Sequence, residues 1–282
     1  MRNEQEMMDT ILGFAKNEPK IKAVLLNGSR ANPMAIKDKY QDFDVVYVVD
    51  EIESWLNDIH WIDVFGQRIM LQMPETMRYP AQDGNFAFLM LFDDGNRIDL
   101  TLMPIKNLDL DRLDRMTIVL LDKENRISHI EPPSDHHFHV HPPTELEYDS
   151  CCNNFLWCLQ NVAKGIARDE LPYAMEMYDN IVRTELNSMV DWYIGTLTNF
   201  SVSVGKMGKY YKRYLPTQIY QMVTETYSDG NYDHLWKSMF TAIDCFELIS
   251  KEVGLWLGVS YNQMDHQNMV RYLIEFRKSM KG

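Results

Sequence analysis

The chain has 282 residues and a formal net charge of −13. An acidic surface argues against a nucleic acid as partner, because proteins that bind phosphate backbones present basic faces. It suits a polycationic small molecule better, although acidity also favours solubility. Apolar residues make up 45% of the chain and aromatic residues 12%, which is typical of a globular protein with one large core or two of ordinary size.

No apolar run in the sequence reaches the roughly 18 to 20 residues that a membrane span needs. The charged N-terminus is not followed by the continuous apolar segment of a signal peptide. We therefore expect a cytoplasmic protein without a membrane partner. Four cysteines in a chain of this length do not indicate a disulfide framework, so we predict reduced thiols in the core.

The first strong pattern is a strand followed by a glycine turn. Apolar residues at helical spacing predict a helix over 4–16, and the apolar run 21–26 predicts a buried strand. Gly28, Ser29 and Arg30 then form a tight turn that opens another helix. Because the first N–H groups of a helix are free, this turn is the predicted seat of a nucleotide's phosphates.

Two carboxylates follow on the predicted strand 41–46. Side chains alternate along a strand, so Asp42 and Asp44 share one face while Phe43 and Val45 point into the core. Two carboxylates this close repel each other unless a divalent cation lies between them. The spacing therefore predicts a magnesium site.

A third carboxylate lies on a later hairpin. The strand-like runs 86–92 and 97–102 flank an Asp-Asp-Gly-Asn turn. On the second run Asp99 shares a face with Arg97. If this strand lies beside that of Asp44, Asp99 completes a three-carboxylate site of the kind that performs metal-assisted phosphoryl or nucleotidyl transfer.

The remaining elements divide the chain into two halves. Runs at 67–73 and 116–121 predict two further strands, the second being the last member of the sheet. Later segments show helical periodicity from residue 152 onward. We therefore predict an α+β protein, with a mixed-sheet domain followed by a helical bundle. The predicted limits are 1–135 for the first domain, 136–144 for a linker, and 145–282 for the helical domain.

The linker contains a histidine tract that permits a second interpretation. His136, His137, His139 and His141 could hold a transition metal, with the adjacent Cys151-Cys152 pair nearby. The tract does not reproduce the paired ligand spacing of a structural zinc site, so a linker is the preferred interpretation.

The ordered set of motifs resembles the nucleotidyltransferase superfamily that includes DNA polymerase beta. More closely, the chain resembles the aminoglycoside 6-adenylyltransferases, or streptomycin adenylyltransferases, over nearly its whole length. One departure is Asn27, where the family pattern commonly has Glu. The matching segments are Gly28-Ser29-Arg30, Gln41-Asp42-Phe43-Asp44, Asp99-Leu100-Thr101-Leu102, Cys151-Cys152-Asn153 with Trp157, Gly205-Lys206, and Lys212-Arg213-Tyr214-Leu215.

The resemblance implies transfer of AMP from ATP to an aminoglycoside, at the 6-hydroxyl of streptomycin, with release of pyrophosphate and antibiotic resistance. Asp42 and Asp44 are expected to hold two magnesium ions, and Asp99 to bind one of them and to orient or deprotonate the acceptor hydroxyl. The expected nucleotide contacts are Gly28, Ser29, Arg30, Lys206 and Lys209.

An aminoglycoside acceptor also requires acidic side chains for its cationic groups and an aromatic ring for its sugar face. The candidates in the helical half are Glu145, Glu147, Asp149, Trp157 and Asp179. Two alternatives stay open: an enzyme of the same fold that modifies another small molecule or a protein hydroxyl, and a non-catalytic nucleotide-binding partner. The sequence leaves the choice between monomer and small homo-oligomer open as well.

Overall fold

The computed structural model describes residues 1–127 and 130–280. It divides into two compact units, Met1–His137 and Phe138–Gly282, which we call the sheet unit and the helical unit. The division falls inside the stretch 136–144 that the sequence predicts as a linker. The domain limits themselves stay a prediction.

The sheet unit is built on a six-stranded mixed sheet with the spatial order β3-β4-β5-β2-β1-β6. β2 and β5 run parallel, and the other neighbouring pairs run antiparallel. This mixed sheet, joined to a helical second half, confirms the predicted α+β class. The strands are β1 (Ile21–Asn27), β2 (Phe43–Val49), β3 (Arg68–Gln72), β4 (Phe86–Phe92), β5 (Arg97–Pro104) and β6 (Ile118–Asp122).

One face of the sheet is covered by helix α1 (Glu4–Asn17), which begins with a capping box. Met7, Ile11 and Ala15 form its buried stripe at helical spacing and pack into the main core of this unit. The Tyr47 hydroxyl, buried on the same face of β2, donates a hydrogen bond of 2.7 Å to the Ile11 carbonyl. The helix and the sheet are thereby fixed to each other.

The short helix α3 (Glu53–Leu56) and the 3-10 helix Ile59–Phe65 lie largely in the stretch 55–65, where the mixed sequence pattern predicts no element. Aromatic packing accounts for this local structure. The rings of Trp55 and Trp61 lie 4.7 Å apart between centroids, and the Trp61 indole N–H donates to the Trp55 carbonyl at 3.1 Å. Such an aromatic cluster has no regular period along the sequence.

The helical unit packs its longest helices around an apolar core. Within the part of the chain predicted to be helical, a π-helical segment, Met177–Val182, separates the two α-helices Leu171–Glu176 and Arg183–Thr198. The Tyr178 hydroxyl and the Arg183 guanidinium both bind Thr226, at 2.7 and 2.6 Å. The helices are α4 (Glu145–Ala167), α5 (Leu171–Glu176), α6 (Arg183–Thr198), α7 (Tyr211–Tyr214), α8 (Thr217–Glu225), α9 (Tyr232–Leu257) and α10 (Gln263–Ser279); one further single turn in the sheet unit, α2 (Gly28–Ala31), follows β1.

The four cysteines are free and buried in the helical unit, which confirms their prediction as reduced core thiols. At the centre of the same core the rings of Phe155 and Phe246 stack with centroids 3.8 Å apart. Within residues 1–127 and 130–280, no helix is both long enough and apolar enough to cross a membrane.

Candidate active site

Two carboxylates lie side by side at the centre of the sheet. Asp44 is the register partner of Asp99 in the parallel pair of β2 and β5, and of Asn27 in the antiparallel pair of β1 and β2. Register partners on neighbouring strands are about 5 Å apart and point to the same face. Because the adjacent Phe43 and Val45 face the core beneath α1, Asp44 and Asp99 share the opposite face. The strand of Asp99 therefore does lie beside that of Asp44.

The turn after β1 brings backbone atoms against this carboxylate pair. Gly28 has a φ of +69°, and a Cβ added to it would collide with the Asp44 carboxylate. Only glycine allows both the left-handed backbone and this close approach. The helix that follows, α2, has a single turn, so its dipole gives little help in binding phosphate. The free N–H groups of the turn remain available as donors to phosphate.

Arg30 has a structural role that the sequence does not indicate. Its guanidinium donates to the carbonyls of Gln41 and Asp42 at 2.8 and 3.0 Å, and pairs with Glu4 at 3.2 Å. It also lies over the Phe43 ring, 3.7 Å from the centroid. With 6% of its side chain exposed, Arg30 holds the chain that leads Asp42 into β2. Its contact with a triphosphate stays a prediction.

Asp42 directly precedes β2 and reaches the cluster through an arginine. Arg97 donates from Nε and Nη2 to the two Asp99 oxygens at 2.7 and 2.6 Å, and its Nη1 lies 3.4 Å from Asp42 Oδ2. The sequence places Arg97 on the face of Asp99 but does not show that it joins two of the predicted metal ligands. The alternation of side chains along a strand, in which every second residue shares a face, is the sequence signal that places Arg97 beside Asp99.

Burial and like charge perturb the titration of the cluster. Burial, followed by the charges of Asp99 and Asp42, raises the pKa of Asp44 to about 6. Burial also raises the pKa of Asp42, against the lowering effect of Arg97. A cation beside Asp42 and Asp44 would favour the ionised forms of these two carboxylates.

The donor set suits a hard divalent cation, because Asp42, Asp44 and Asp99 offer oxygen ligands from adjoining backbone positions. In the described residues, however, no group of three or more His, Cys, Asp or Glu side chains is arranged closely enough to hold a metal ion. This finding also covers the described members of the histidine tract. In the carboxylate cluster the cationic partner of two of the three side chains is Arg97. The three carboxylates are thus the oxygen ligands that a divalent ion prefers, but in the described residues two of them are held by Arg97 and the three are not close enough to share an ion.

The basic candidates of the helical unit lie in a strained turn. Gly205, Met207 and Gly208 all have positive φ values, of 72°, 58° and 71°. Lys206 and Lys209 are exposed on this turn, and the ammonium of Lys209 lies 5.1 Å from the ring centroid of Tyr210. The basic stretch is thus not a regular helix face, and its contact with a nucleotide stays a prediction.

The five predicted acceptor contacts have different surroundings within the helical unit. Glu147 caps the start of α4 through Thr144, and Asp179 lies 3.8 Å from Arg183. Glu145 and Asp149 are four residues apart on α4 and therefore share a face of this helix, whereas Glu147 points away from it. Three of the predicted acceptor contacts have exposed side chains on α4 and, unlike Glu147, do not cap the helix: Glu145, Asp149 and Trp157.

A cavity of about 310 Å³ in the helical unit presents residues outside the predicted set. Asp191, Trp192 and Ser188 line it together with Glu147. Burial raises the pKa of Asp191 to about 6, while a hydrogen bond from the Tyr211 hydroxyl opposes the rise. An acidic group beside an indole is suited to a cationic sugar, and the sequence signal for it was the adjacent Asp-Trp pair.

Comparison with known proteins identifies the family. The family model described as streptomycin adenylyltransferase matches residues 1–276. The chain belongs to this family. It is 40% identical to an aminoglycoside 6-adenylyltransferase of Bacillus subtilis (strain 168), over 94% of this chain and 95% of the relative. It is 38% identical to a protein of the same name from Campylobacter jejuni, over 99% and 97%.

A solved structure, the crystal structure of an aminoglycoside 6-adenyltransferase from Bacillus subtilis, matches with 35% identity and a TM-score of 0.48, covering 98% of this chain and 99% of that one.

Membership of the streptomycin adenylyltransferase family confirms the predicted class of enzyme, a nucleotidyltransferase. Nucleotidyltransferases generally use a nucleoside triphosphate and a divalent metal ion.

The departure from the streptomycin adenylyltransferase pattern, Asn27, has a defined place beside the cluster. Its side-chain oxygen accepts a hydrogen bond of 2.8 Å from the hydroxyl of Thr117, which is itself 2% exposed. Asn27, Asp44 and Asp99 are register partners across three neighbouring strands. Because the amide of Asn27 is neutral, it adds no fourth negative charge to Asp42, Asp44 and Asp99. The change therefore affects a supporting contact and leaves the three carboxylates in place.

Proposed function

We propose that this protein transfers AMP from ATP to a hydroxyl of an aminoglycoside antibiotic, the 6-hydroxyl of streptomycin, and releases pyrophosphate. The observation that carries the proposal is the register of Asp44 with Asp99 on parallel strands, against the turn at Gly28. Family membership supports the acceptor, since the family model is described as streptomycin adenylyltransferase and the curated relatives as aminoglycoside 6-adenylyltransferases. An added AMP would prevent the antibiotic from fitting the ribosome and so give resistance.

The carboxylates perform the chemistry in this proposal. Asp99 accepts the proton of the acceptor hydroxyl, whose oxygen attacks the α-phosphorus in line with the departing pyrophosphate. The new bond joins the acceptor oxygen to phosphorus, and the bond from phosphorus to the bridging oxygen breaks. Asp42, Asp44 and Asp99 would hold two Mg²⁺ ions, which when bound neutralise charge on the triphosphate.

The surrounding residues bind and orient the two substrates. Backbone N–H groups of the turn at Gly28 and Ser29 donate to phosphate oxygens. Lys206 and Lys209 neutralise the pyrophosphate as it leaves. Arg30 positions Asp42 through the carbonyl contacts described above, and would have to give them up to bind phosphate directly.

Acidic groups of the helical unit bind the cationic acceptor. The exposed Glu145, Asp149 and Trp157 are available for its guanidinium groups and sugar face. Glu147 and Asp179 would bind the acceptor while they keep their contacts with Thr144 and Arg183, respectively. We also propose that residues 1–135 and 145–282 act as the nucleotide domain and the acceptor domain.

Pyrophosphate release across a panel of acceptors tests the proposal. The protein is incubated with ATP and Mg²⁺ and with streptomycin, with aminoglycosides of other ring patterns, or with a non-aminoglycoside polyol. We expect release that depends on streptomycin and is lost when ATP or Mg²⁺ is omitted. Release with another acceptor but not with streptomycin would reassign the substrate. ATP binding without release for any acceptor would favour a non-catalytic partner.

A further inference from the structure

In the described part of the chain, Arg97 is the cationic side chain that pairs with the carboxylate cluster. The proposed chemistry gives this arginine no task. Its guanidinium fork faces both oxygens of Asp99, at 2.7 and 2.6 Å, and its third nitrogen approaches Asp42 at 3.4 Å. A fork that donates two parallel bonds to a carboxylate is among the stronger charged contacts in proteins. A single side chain thereby neutralises two of the three candidate metal ligands.

The backbone determines this position. Arg97 and Asp99 are two residues apart on β5, so their side chains leave the same face of the sheet. β5 lies between β4 and β2, and its register with β2 puts Asp44 next to Asp99. The arginine is therefore anchored at the cluster wherever its guanidinium points.

The guanidinium can nevertheless leave its partners. The side chain of Arg97 is 43% exposed, compared with 21% for Asp99 and 6% for the fixed Arg30. An exposed arginine that loses its carboxylate partner is resolvated at low cost, whereas a buried one is not. The cluster thus contains one arginine that is held in place, Arg30, and one that can be displaced, Arg97.

We propose that Arg97 is an internal counter-cation, which holds Asp42 and Asp99 in the metal-free protein and must be displaced before a divalent ion binds them. The inference rests on the proposed function in one respect, the assignment of these carboxylates as metal ligands. The ion and the guanidinium compete for the same oxygens. Triphosphate oxygens are good alternative partners for a guanidinium. Metal binding is therefore weak in the free protein and becomes tight when nucleotide enters with it.

Binding of Mn²⁺ to the nucleotide-free protein, followed by electron paramagnetic resonance of the unbound ion, tests this competition without reference to activity. We expect Arg97→Gln to bind Mn²⁺ about tenfold more tightly than wild type, because the ion no longer displaces a charged hydrogen-bond donor. Arg97→Lys keeps the charge but loses the fork, so its dissociation constant should fall by only about threefold. If the glutamine variant does not fold, the lysine variant carries the test.

Thermal unfolding gives a second reading. With chelator present, Arg97→Gln should melt below wild type because the carboxylates lose their counter-charge, and Mn²⁺ should raise its melting temperature more than that of wild type. A matched control is Arg126→Gln, which removes another arginine bound to a carboxylate two residues away, Glu124, at 2.5 Å. This control should leave the Mn²⁺ dissociation constant unchanged.

The outcomes separate the inference from the proposed function. Asp99→Asn should weaken Mn²⁺ binding in the presence of ATP. If it does so while Arg97→Gln binds Mn²⁺ no more tightly than wild type, the counter-cation role is wrong and the metal site stands. If Asp99→Asn leaves Mn²⁺ binding unchanged, the metal assignment in the proposed function is wrong and the counter-cation role falls with it.

Discussion

Replacing Asp44 by Asn is expected to stabilise the metal-free sheet unit at neutral and higher pH. Burial and the neighbouring carboxylates raise the pKa of Asp44 from 3.8 to about 6. Between these two values the folded chain keeps a proton that the unfolded chain has lost, so the free energy of unfolding falls as the pH rises. Asparagine does not ionise, and the variant should lack this fall.

The structure sets the size of the effect. A pKa raised from 3.8 to about 6 corresponds to about 3 kcal/mol at a pH above both values. Because the carboxylate is only partly buried, screening by solvent reduces this figure to about 1–2 kcal/mol. We therefore expect Asp44→Asn to raise the free energy of unfolding by about 1–2 kcal/mol at about pH 8, with a gain that shrinks toward about pH 4.

Native-state hydrogen exchange of peptides from β1 and β2, with chelator present, measures this free energy in the sheet unit alone. Asp191→Asn is the matched control, because burial raises the pKa of Asp191 to about 6 in the helical unit. Asp191→Asn should slow hydrogen exchange in peptides of the helical unit, as Asp44→Asn does in the sheet unit. Added Mg²⁺ should still stabilise the Asp191→Asn variant but should no longer stabilise Asp44→Asn. Equal protection of wild type and Asp44→Asn at both pH values would refute the reasoning about the cluster.

Three further substitutions test the supporting structure. Gly28→Ala places a Cβ against the Asp44 carboxylate in a left-handed backbone. We therefore expect the free energy of unfolding in urea to fall by at least about 1–2 kcal/mol, together with a large loss of pyrophosphate release. Unchanged release would show that the close approach is dispensable. Thr117→Val removes the bond to Asn27 and leaves a polar oxygen unpaired, which should cost about 1–2 kcal/mol; a stability equal to wild type would contradict this. Phe155→Ala empties a fully buried position in the helical core and should cost about 3–5 kcal/mol in calorimetry, a smaller cost indicating that the core relaxes.

The sequence predicts the sheet elements well where the signals are local. The Asp-Asp-Gly-Asn turn between apolar runs predicts the hairpin of β4 and β5, and the alternation of Phe43 and Val45 with Asp44 predicts which face is buried. Both signals depend on only a few neighbouring residues. The parallel pairing of β2 with β5 joins segments far apart in the chain. A shared carboxylate site requires this pairing, but no local pattern in the sequence predicts it.

The roles of the two arginines show what sequence patterns leave out. Arg30 beside a glycine turn favours a phosphate contact, but its partners are carbonyls 11 and 12 residues away that only the fold brings close. The fork of Arg97 on Asp99 likewise depends on rotamers that the alternation of faces permits but does not determine. The turn around Lys206 has positive φ values at both glycines, which a count of basic residues does not reveal.

Mass spectrometry of streptomycin incubated with ATP, Mg²⁺ and either wild type or Asp99→Asn tests the three-carboxylate site most directly. We predict an adenylyl adduct with wild type and, for a folded Asp99→Asn variant, a rate lower by about 10²–10⁴-fold. An adduct formed by the variant at nearly the wild-type rate would contradict the role of Asp99. A wild-type protein that binds ATP but forms no adduct would contradict the transfer itself.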